Sequence, residues 1–125
     1  MFKGRNWRFF MQKLYCIIGR SPLNYKNKSN KNALKVVWQV DVDLGHIRKV
    51  SRQHALIIYN FEKEHFEIKC LSRKYPLYVN RKALTLHEDP IPLLSGSLVT
   101  ISSENFFFLM PPKAKKEDVQ RNLAN

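Results

Sequence analysis

At 125 residues, of which 44% are hydrophobic and 26% charged, the chain is the size of one compact domain, and this composition excludes wholesale disorder. Lysine and arginine number 22 against 10 aspartates and glutamates, and the net charge of +12 predicts an anionic partner, whether nucleic acid, an acidic or phosphorylated protein, or a membrane surface. Two cysteines are too few for a disulfide framework, and the apolar runs are too short to span a bilayer, so we expect a reducing, intracellular location.

Segments with an apolar residue at every second position dominate the chain and predict β-strands that are buried on one face. The clearest of them runs from Leu34 to Val42. In chain order, strands are predicted at residues 7–11, 14–18, 34–42, 55–61, 66–70, 77–79, 98–101 and 105–110. Many short strands, frequent turn residues and no long helical pattern together predict an all-β sandwich.

Two stretches interrupt this pattern. Residues 21–35 are rich in asparagine and lysine, which predicts a mobile surface loop. Pro111 and Pro112 end the last predicted strand, so we expect one domain at residues 1–111 and a basic tail at residues 112–125 that is either disordered or a short helix. The N-terminal residues include no small-residue cleavage site, so no signal peptide is expected.

The inventory of reactive side chains argues against catalysis. The four histidines, His46, His54, His65 and His87, include no i, i+4 pair that would place two metal ligands on one helix face. No glycine-rich phosphate loop, Gly-x-Ser-x-Gly turn or paired cysteine and histidine is visible in the sequence. The sequence therefore predicts a protein that is not an enzyme and that needs no metal or cofactor.

Two short segments have the residue types that bind a phosphate dianion. Gly19-Arg20 follows one predicted strand, and Ser51-Arg52-Gln53-His54 leads into another. Arginine suits a phosphate because its planar guanidinium group donates two parallel hydrogen bonds. Each segment alone is typical of an ordinary polar loop. The interpretation as an anion site therefore requires both loops to lie at the same end of the sandwich.

Together and in this order, the two segments resemble a known family, the forkhead-associated (FHA) domains, and Val79-Asn80 on a predicted hairpin is a third match. The likeness extends to three segments typical of the FHA domains of forkhead-type transcription regulators: Lys3-Gly4-Arg5-Asn6-Trp7, Val42-Asp43-Leu44-Gly45 and His65-Phe66-Glu67-Ile68-Lys69-Cys70-Leu71. The resemblance implies a β-sandwich of two mainly antiparallel sheets, with the binding loops at one end, that binds phosphothreonine peptides.

The resemblance also implies roles for individual residues. Arg20 is expected to contact the phosphate, Ser51 to donate its hydroxyl to it, and Arg52 to add a second cationic contact. His54 is similar to a buried family histidine that supports the loop, and Gly19 is similar to a position where the backbone turns sharply out of the strand. His54 and Gly19 are therefore expected to be structural.

One loop departs from the family pattern. FHA domains carry an Asn-Gly pair before the final hairpin, and its asparagine grips the peptide backbone, whereas this chain has Tyr75-Pro76 there. Asn80 is similar to a second family asparagine, whose role is structural. Two cations flank the altered position. The predicted phosphopeptide-binding set is therefore Arg20, Ser51, Arg52, Arg73, Lys74 and Tyr75.

Three functions remain open at this point, and none of them involves a membrane. The first is a nuclear, phosphothreonine-dependent adaptor, expected to be a monomer and to associate with DNA weakly or through its partners. The second is a constitutive protein-interaction domain whose phosphate site has decayed, which Tyr75-Pro76 favours. The third is a basic nucleic-acid-binding protein, favoured by the net charge of +12, although the aromatic residues alternate as core residues rather than as stacking platforms.

Overall fold

The computed structural model describes residues 1–20, 40–45 and 47–111. In chain order the strands are β1 (Phe2–Gly4), β2 (Arg8–Phe9), β3 (Tyr15–Gly19), β4 (Val42–Asp43), β5 (Gln53–Asn60), β6 (His65–Cys70), β7 (Leu77–Val79), β8 (Lys82–Leu84), β9 (Ile91–Leu93), β10 (Ser97–Ile101) and β11 (Glu104–Phe108). Over these ranges, no helix is long and apolar enough to cross a membrane.

The strands form two sheets, which confirms the predicted all-β sandwich. One sheet has six strands in the order β2-β1-β11-β10-β7-β8, and the other has five in the order β4-β3-β5-β6-β9. Strands β3 and β4 pair in parallel, and the other described pairs are antiparallel. The antiparallel character of the two sheets is therefore confirmed as well.

This topology brings three loops to one end of the five-stranded sheet. Gly19 at the end of β3 pairs with Asp43 at the end of β4, so both strands leave the sheet on the same side. Strand β5 begins opposite Gly19, and β6 ends at Cys70, opposite Ala55 in β5. The segment after β3, the β4–β5 loop (residues 44–52) and the β6–β7 loop (residues 71–76) are therefore neighbours.

Large apolar side chains from both sheets fill the space between them. Six of those that are at most 1% exposed are Phe2, Phe106 and Phe108 from one sheet and Ile18, Ile57 and Ile68 from the other. The rings of Phe66 and Phe108 meet edge to face across the sandwich, with centroids 5.5 Å apart. Since burying each such side chain stabilises the fold by about 1.5–3 kcal/mol, the core fixes the strand register from which the three loops project.

Most of the sequence-predicted strands correspond to strands of the fold. Those at residues 7–11, 14–18, 55–61, 66–70, 77–79, 98–101 and 105–110 match β2, β3, β5, β6, β7, β10 and β11 to within two residues at either end. The strand predicted at residues 34–42 lies largely outside the described residues, and its last residue begins β4. The predicted loop at residues 21–35 and the tail at residues 112–125 also lie outside the described residues.

Three short strands, β1, β8 and β9, have no counterpart in the sequence pattern. Each has three residues and one fully buried side chain, which is Phe2, Leu84 or Leu93. A single buried residue cannot produce a recognisable alternation. Pro92 argues further against a strand, but β9 lies at the edge of its sheet, where a missing backbone N–H is tolerated.

A two-residue turn connects β7 to β8. Val79 pairs with Lys82, and the intervening Asn80 and Arg81 have φ angles of 50° and 70°. Two consecutive positive φ angles are typical of a type I′ turn, for which Asn-Gly is the preferred pair. Asn80 satisfies the first position, whereas Arg81 occupies a position that costs a residue with a Cβ atom roughly 1–2 kcal/mol.

We expect Arg81→Gly to raise the free energy of unfolding by about 0.5–1 kcal/mol, because glycine adopts this φ angle without a steric cost. Chemical denaturation of the two proteins measures the difference. Lys82→Gly, one residue further along and inside β8, is the matched control and should destabilise the domain, since glycine weakens a strand. A lower stability for Arg81→Gly than for the parent protein would contradict this assignment of the turn.

Candidate functional site

The end of β3 lies directly against the β4–β5 loop at Gly19. A Cβ atom added to Gly19 would overlap the carbonyl oxygen of Arg52 and would lie 2.9 Å from that of Ser51. The Arg20 N–H donates a hydrogen bond of 3.3 Å to the same Arg52 oxygen. Gly19 is not among the residues with a positive φ angle. The close approach of two backbones, rather than the sharp turn expected from the sequence, therefore requires glycine at this position.

The β4–β5 loop is held from its other side by the six-stranded sheet. Ser102, in the turn between β10 and β11, donates its hydroxyl to the Arg48 carbonyl oxygen at 2.6 Å. Val50 is 3% exposed and packs into the core. Lys49, between them, has a φ angle of 67°. The backbone that carries Ser51 is thus anchored at the residues immediately before it.

His54, near the start of β5, joins the β4–β5 loop to the β6–β7 loop. The Ser51 N–H donates to Nδ1 of His54 at 3.1 Å, and Nε2 lies 3.3 Å from the Pro76 carbonyl oxygen. Since a backbone N–H only donates and a carbonyl only accepts, Nδ1 is bare and Nε2 carries the hydrogen. Burial lowers the pKa of the His54 ring, and the Pro76 carbonyl opposes this shift only in part. His54 is therefore neutral and held as one tautomer.

Ser72 and Cys70 hold the backbone of the β6–β7 loop. Ser72 is 4% exposed, and its Oγ accepts the Tyr75 N–H at 3.1 Å and lies 2.6 Å from Oγ of Ser51. The buried Cys70 sulfur lies 3.7 Å from the carbonyl oxygens of both Ser72 and Tyr75, within reach of its S–H. The loop is therefore bonded within itself and also to the hydroxyl of Ser51.

Arg20, the β4–β5 loop and the β6–β7 loop line an open groove with a volume of about 780 Å³. All of the residues that the sequence predicts as phosphopeptide ligands line it, namely Arg20, Ser51, Arg52, Arg73, Lys74 and Tyr75. Gly19 and His54 do not line the groove but contact residues that do, Gly19 through the Arg52 backbone and His54 through the Ser51 backbone. The fold thus brings together residues that are up to 55 positions apart in the sequence.

Asn80 does not line the groove. Its backbone N–H donates to the Leu98 carbonyl oxygen at 2.8 Å, and its Oδ1 accepts the Leu98 N–H at 2.9 Å. This pair of bonds ties the β7–β8 turn to β10, and it supports the structural role expected of Asn80.

The groove is strongly cationic. Its basic residues are Arg20, Arg48, Lys49, Arg52, Arg73 and Lys74. Among the described residues that line it, none is an aspartate or glutamate. Charges of one sign around a concave surface reinforce each other and raise the local concentration of counter-ions. The groove therefore suits an anionic ligand, and the guanidinium groups that line it suit a phosphate in particular.

These side chains offer hydrogen bonds and charge rather than reactive groups. Both ring nitrogens of His54 are occupied by backbone partners, so this ring cannot also accept a proton from the Ser51 hydroxyl. In the parts of the chain that the structure describes, no three His, Cys, Asp or Glu side chains gather where they could hold a metal ion. What the groove can do chemically is bind an anion.

Seven groove-lining residues are missing from the set predicted from the sequence, and three of them carry a charge or a hydroxyl: Arg48, Lys49 and Ser72. Arg48 and Lys49 come just before the Ser-Arg-x-His segment, so their charge is a signal that could have indicated them. Ser72 carries no such signal, because its contact with Ser51 joins residues 21 positions apart and depends on the fold.

The family model for the FHA domain matches residues 16–102. The chain therefore belongs to the FHA family, whose members are phosphopeptide-binding modules of protein interaction rather than enzymes. The forkhead-type likeness is confirmed by two curated relatives, Fork head protein homolog 2 of Saccharomyces cerevisiae and the Fork-head transcriptional regulator FHL1 of Candida albicans. The first is 33% identical over 86% of this chain and the second 35% identical over 90%. The chain spans 13% and 9% of their respective lengths.

Among solved structures, the fold is similar to the N-terminal FHA domain of Saccharomyces cerevisiae Rad53p, which was solved in complex with a phosphothreonine peptide. The TM-score is 0.58, and the match covers 79% of this chain and 69% of that chain at 16% sequence identity. At this identity the likeness concerns the fold.

The neutral His54 ring makes stability depend on pH. In the unfolded chain a histidine titrates near pH 6.5, whereas the pKa of His54 in the fold is lower. The unfolded state therefore binds more protons in mild acid, so we expect the melting temperature to be constant above about pH 7 and to fall as the pH is lowered below about 6.5.

Thermal unfolding between about pH 7.5 and 5.5 tests this dependence on His54. His87→Gln, which removes an exposed histidine, is the matched control and should retain the fall. His54→Gln should have a lower melting temperature at pH 7.5 and a flatter profile below it. A His54→Gln profile as steep as that of the parent protein would assign the pH dependence to another group.

Proposed function

We propose that the chain is a phosphothreonine-peptide-binding interaction module that acts in nuclear transcription regulation or signalling and is not an enzyme. The observation that carries the proposal is the meeting of Arg20, Ser51 and Arg52, from two separate loops, in one cationic groove. The nuclear setting is supported by the names of the relatives, which include fork-head transcriptional regulators.

The phosphate is held by charge-assisted hydrogen bonds from Arg20 and Arg52. Arg20 is only partly exposed and Arg52 is exposed, so a phosphate bound between them displaces water from both guanidinium groups. Each charge-assisted bond to an anion contributes about 1.5–3 kcal/mol. Ser51 adds a neutral donor on a backbone that the His54 and Ser102 contacts keep in place. The phosphate therefore supplies most of the affinity.

The preference for threonine rests on the family and on its neighbours. The resemblance implies phosphothreonine, and the structural neighbour from Rad53p was solved with a phosphothreonine peptide. An arrangement of arginines and a hydroxyl would bind phosphoserine by the same bonds, so the two phosphoamino acids must be compared directly.

The altered pair Tyr75-Pro76 changes how the peptide backbone is held. The Tyr75 N–H is already donated to Ser72, the Pro76 carbonyl lies against His54, and proline has no N–H to offer. The pair therefore has no backbone N–H left for the peptide, and the single hydroxyl of Tyr75 cannot reproduce the donor and acceptor pair of an asparagine. Arg73 and Lys74 compensate by attracting acidic residues or a second phosphate near the phosphothreonine.

We expect Arg20→Ala to weaken binding of phosphothreonine peptides by about 2 kcal/mol, which is roughly 30-fold in Kd. Calorimetric titration with a degenerate phosphothreonine library, followed by its best single peptide, gives the parent value. Arg5→Ala is the matched control, since it removes an exposed arginine that does not line the groove, and its Kd should stay within about twofold.

The control ligands separate the competing functions. Equal affinity for the phosphorylated and unphosphorylated peptide would refute phosphate recognition and favour a constitutive interaction domain. Duplex DNA that bound more tightly than any phosphopeptide, with an affinity that fell steeply with salt, would favour a nucleic-acid-binding protein.

Replacement of Arg73 and Lys74 together by glutamate should weaken binding of a phosphothreonine peptide with acidic flanking residues by about tenfold at low salt. Because salt screens exposed charges, the difference should shrink in about 0.5 M NaCl. The same variant should bind a peptide with neutral flanking residues with a much smaller loss.

The chain offers a matched control in Arg81-Lys82, a second exposed Arg-Lys pair that does not line the groove. Its replacement by two glutamates changes the net charge by the same amount and should leave the peptide preference intact. If both double variants lost affinity equally, the effect would be one of net charge, and the local role of Arg73 and Lys74 would be wrong.

A further inference from the structure

Ser51 and Ser72 form a hydroxyl pair that the proposed phosphate contacts leave unexplained. Their Oγ atoms are 2.6 Å apart, and either atom can be the donor. Ser72 is 4% exposed and also accepts the Tyr75 N–H at 3.1 Å. The pair therefore joins the β4–β5 loop to the β6–β7 loop at the groove itself, separately from His54.

The hydrogen bond between the two hydroxyls can run in either direction, and only one direction leaves the Ser51 hydrogen available to a ligand. A serine hydroxyl has one hydrogen and two lone pairs. If Ser51 donated to Ser72, its hydrogen would be used, and Ser51 would present only lone pairs to an incoming dianion, which repels them. If Ser72 donates to Ser51, the Ser51 hydrogen remains available to the groove. An anion in the groove therefore selects the second direction.

We propose that Ser72 is a positioning residue that directs the hydroxyl of Ser51 toward the bound phosphate. The hydrogen bonds then run head to tail, from the Tyr75 N–H to Ser72, from Ser72 to Ser51, and from Ser51 to the phosphate. Bonds aligned in this way polarise one another and strengthen the last of them. This inference rests on the proposed function, because it needs a phosphate at Ser51.

The chain of hydrogen bonds also connects the phosphate to the β6–β7 loop. Tyr75 lines the groove beside the peptide, and its N–H is the first donor of the chain. Binding of a phosphate strengthens the bond that orders this loop, and an ordered loop holds the donor in place. Recognition of the phosphate and placement of Tyr75 are therefore coupled through Ser72.

The test is a double-mutant cycle on Ser51 and Ser72, with the best phosphothreonine peptide from the degenerate library as the probe. Ser72→Ala should raise the Kd by about 3- to 10-fold in the parent protein, as the loss of one hydrogen bond predicts. In a Ser51→Ala background the same change should raise it by less than about twofold, because Ser72 acts through Ser51. In the protein that keeps Ser51, Ser72→Thr retains the hydroxyl and should therefore have a Kd close to that of the parent protein.

A second readout follows the Tyr75 amide by ¹H–¹⁵N NMR during titration with the same peptide. Its resonance should shift in the parent protein and in Ser72→Thr, and the shift should be much smaller in Ser72→Ala. The unphosphorylated peptide is the control and should leave the resonance in place.

The outcomes are distinguishable. If Ser72→Ala raised the Kd equally with and without Ser51, Ser72 would only support the loop and the inference would be overturned. If Ser72→Ala tightened binding, Ser51 would donate to Ser72 in the parent protein, and the direction proposed would be wrong. If the parent protein bound no phosphothreonine peptide, the proposed function would fail and this inference with it. If the parent protein binds the peptide and Arg20→Ala does not, the proposed function is supported whatever the double-mutant cycle shows.

Discussion

The groove depends on one neutral histidine. The Ser51 N–H needs an acceptor and the Pro76 carbonyl needs a donor, and both belong to loops that leave the sheet at the same end. An imidazole ring with its hydrogen on Nε2 supplies both at once, in a fixed plane and without a charge. A protonated ring would carry a hydrogen on Nδ1 facing the Ser51 N–H. The burial that keeps His54 neutral thus preserves this link between the two loops, beside the one that the Ser51 and Ser72 hydroxyls make.

The groups that hold the loops together are neutral, whereas most of the charged groups of the groove are exposed to solvent. The contacts that hold the loops use neutral groups, such as the Gly19 and Arg52 backbones and the Ser72 hydroxyl. Five basic side chains of the groove are exposed to solvent: Arg48, Lys49, Arg52, Arg73 and Lys74. Because they remain hydrated, their mutual repulsion is weakened by water and salt before a ligand arrives. A ligand that brings negative charge removes this repulsion.

The sequence predicts the layers of this fold better than its contacts. Alternation in segments such as residues 66–70 predicts a strand and its buried face, since Ile68 and Cys70 are fully buried. The same alternation does not predict strand β9, because Leu93 is its one fully buried residue. The family resemblance predicts Arg20 and Arg52 as site residues, whereas Ser72 is identified only by its contact with Ser51 in the structure. The alternation of residues within one strand predicts which side chains are buried. The site depends instead on how distant strands pair, and this pairing is not visible in the local sequence.

The departure at Tyr75-Pro76 shows which atoms of the loop are constrained. These two residues anchor the loop through the Tyr75 N–H, which bonds to Ser72 within the loop, and the Pro76 carbonyl, which lies against His54; both are backbone groups. Any residue supplies a carbonyl, and any residue except proline supplies an N–H. Proline is therefore acceptable at position 76, where only the carbonyl is used, but position 75 cannot be proline without loss of the bond to Ser72. The side chains at these positions are free to differ from the family pair because the anchoring of the loop does not depend on them. A change there alters the side chains that line the groove and leaves Arg20, Ser51 and Arg52 in place.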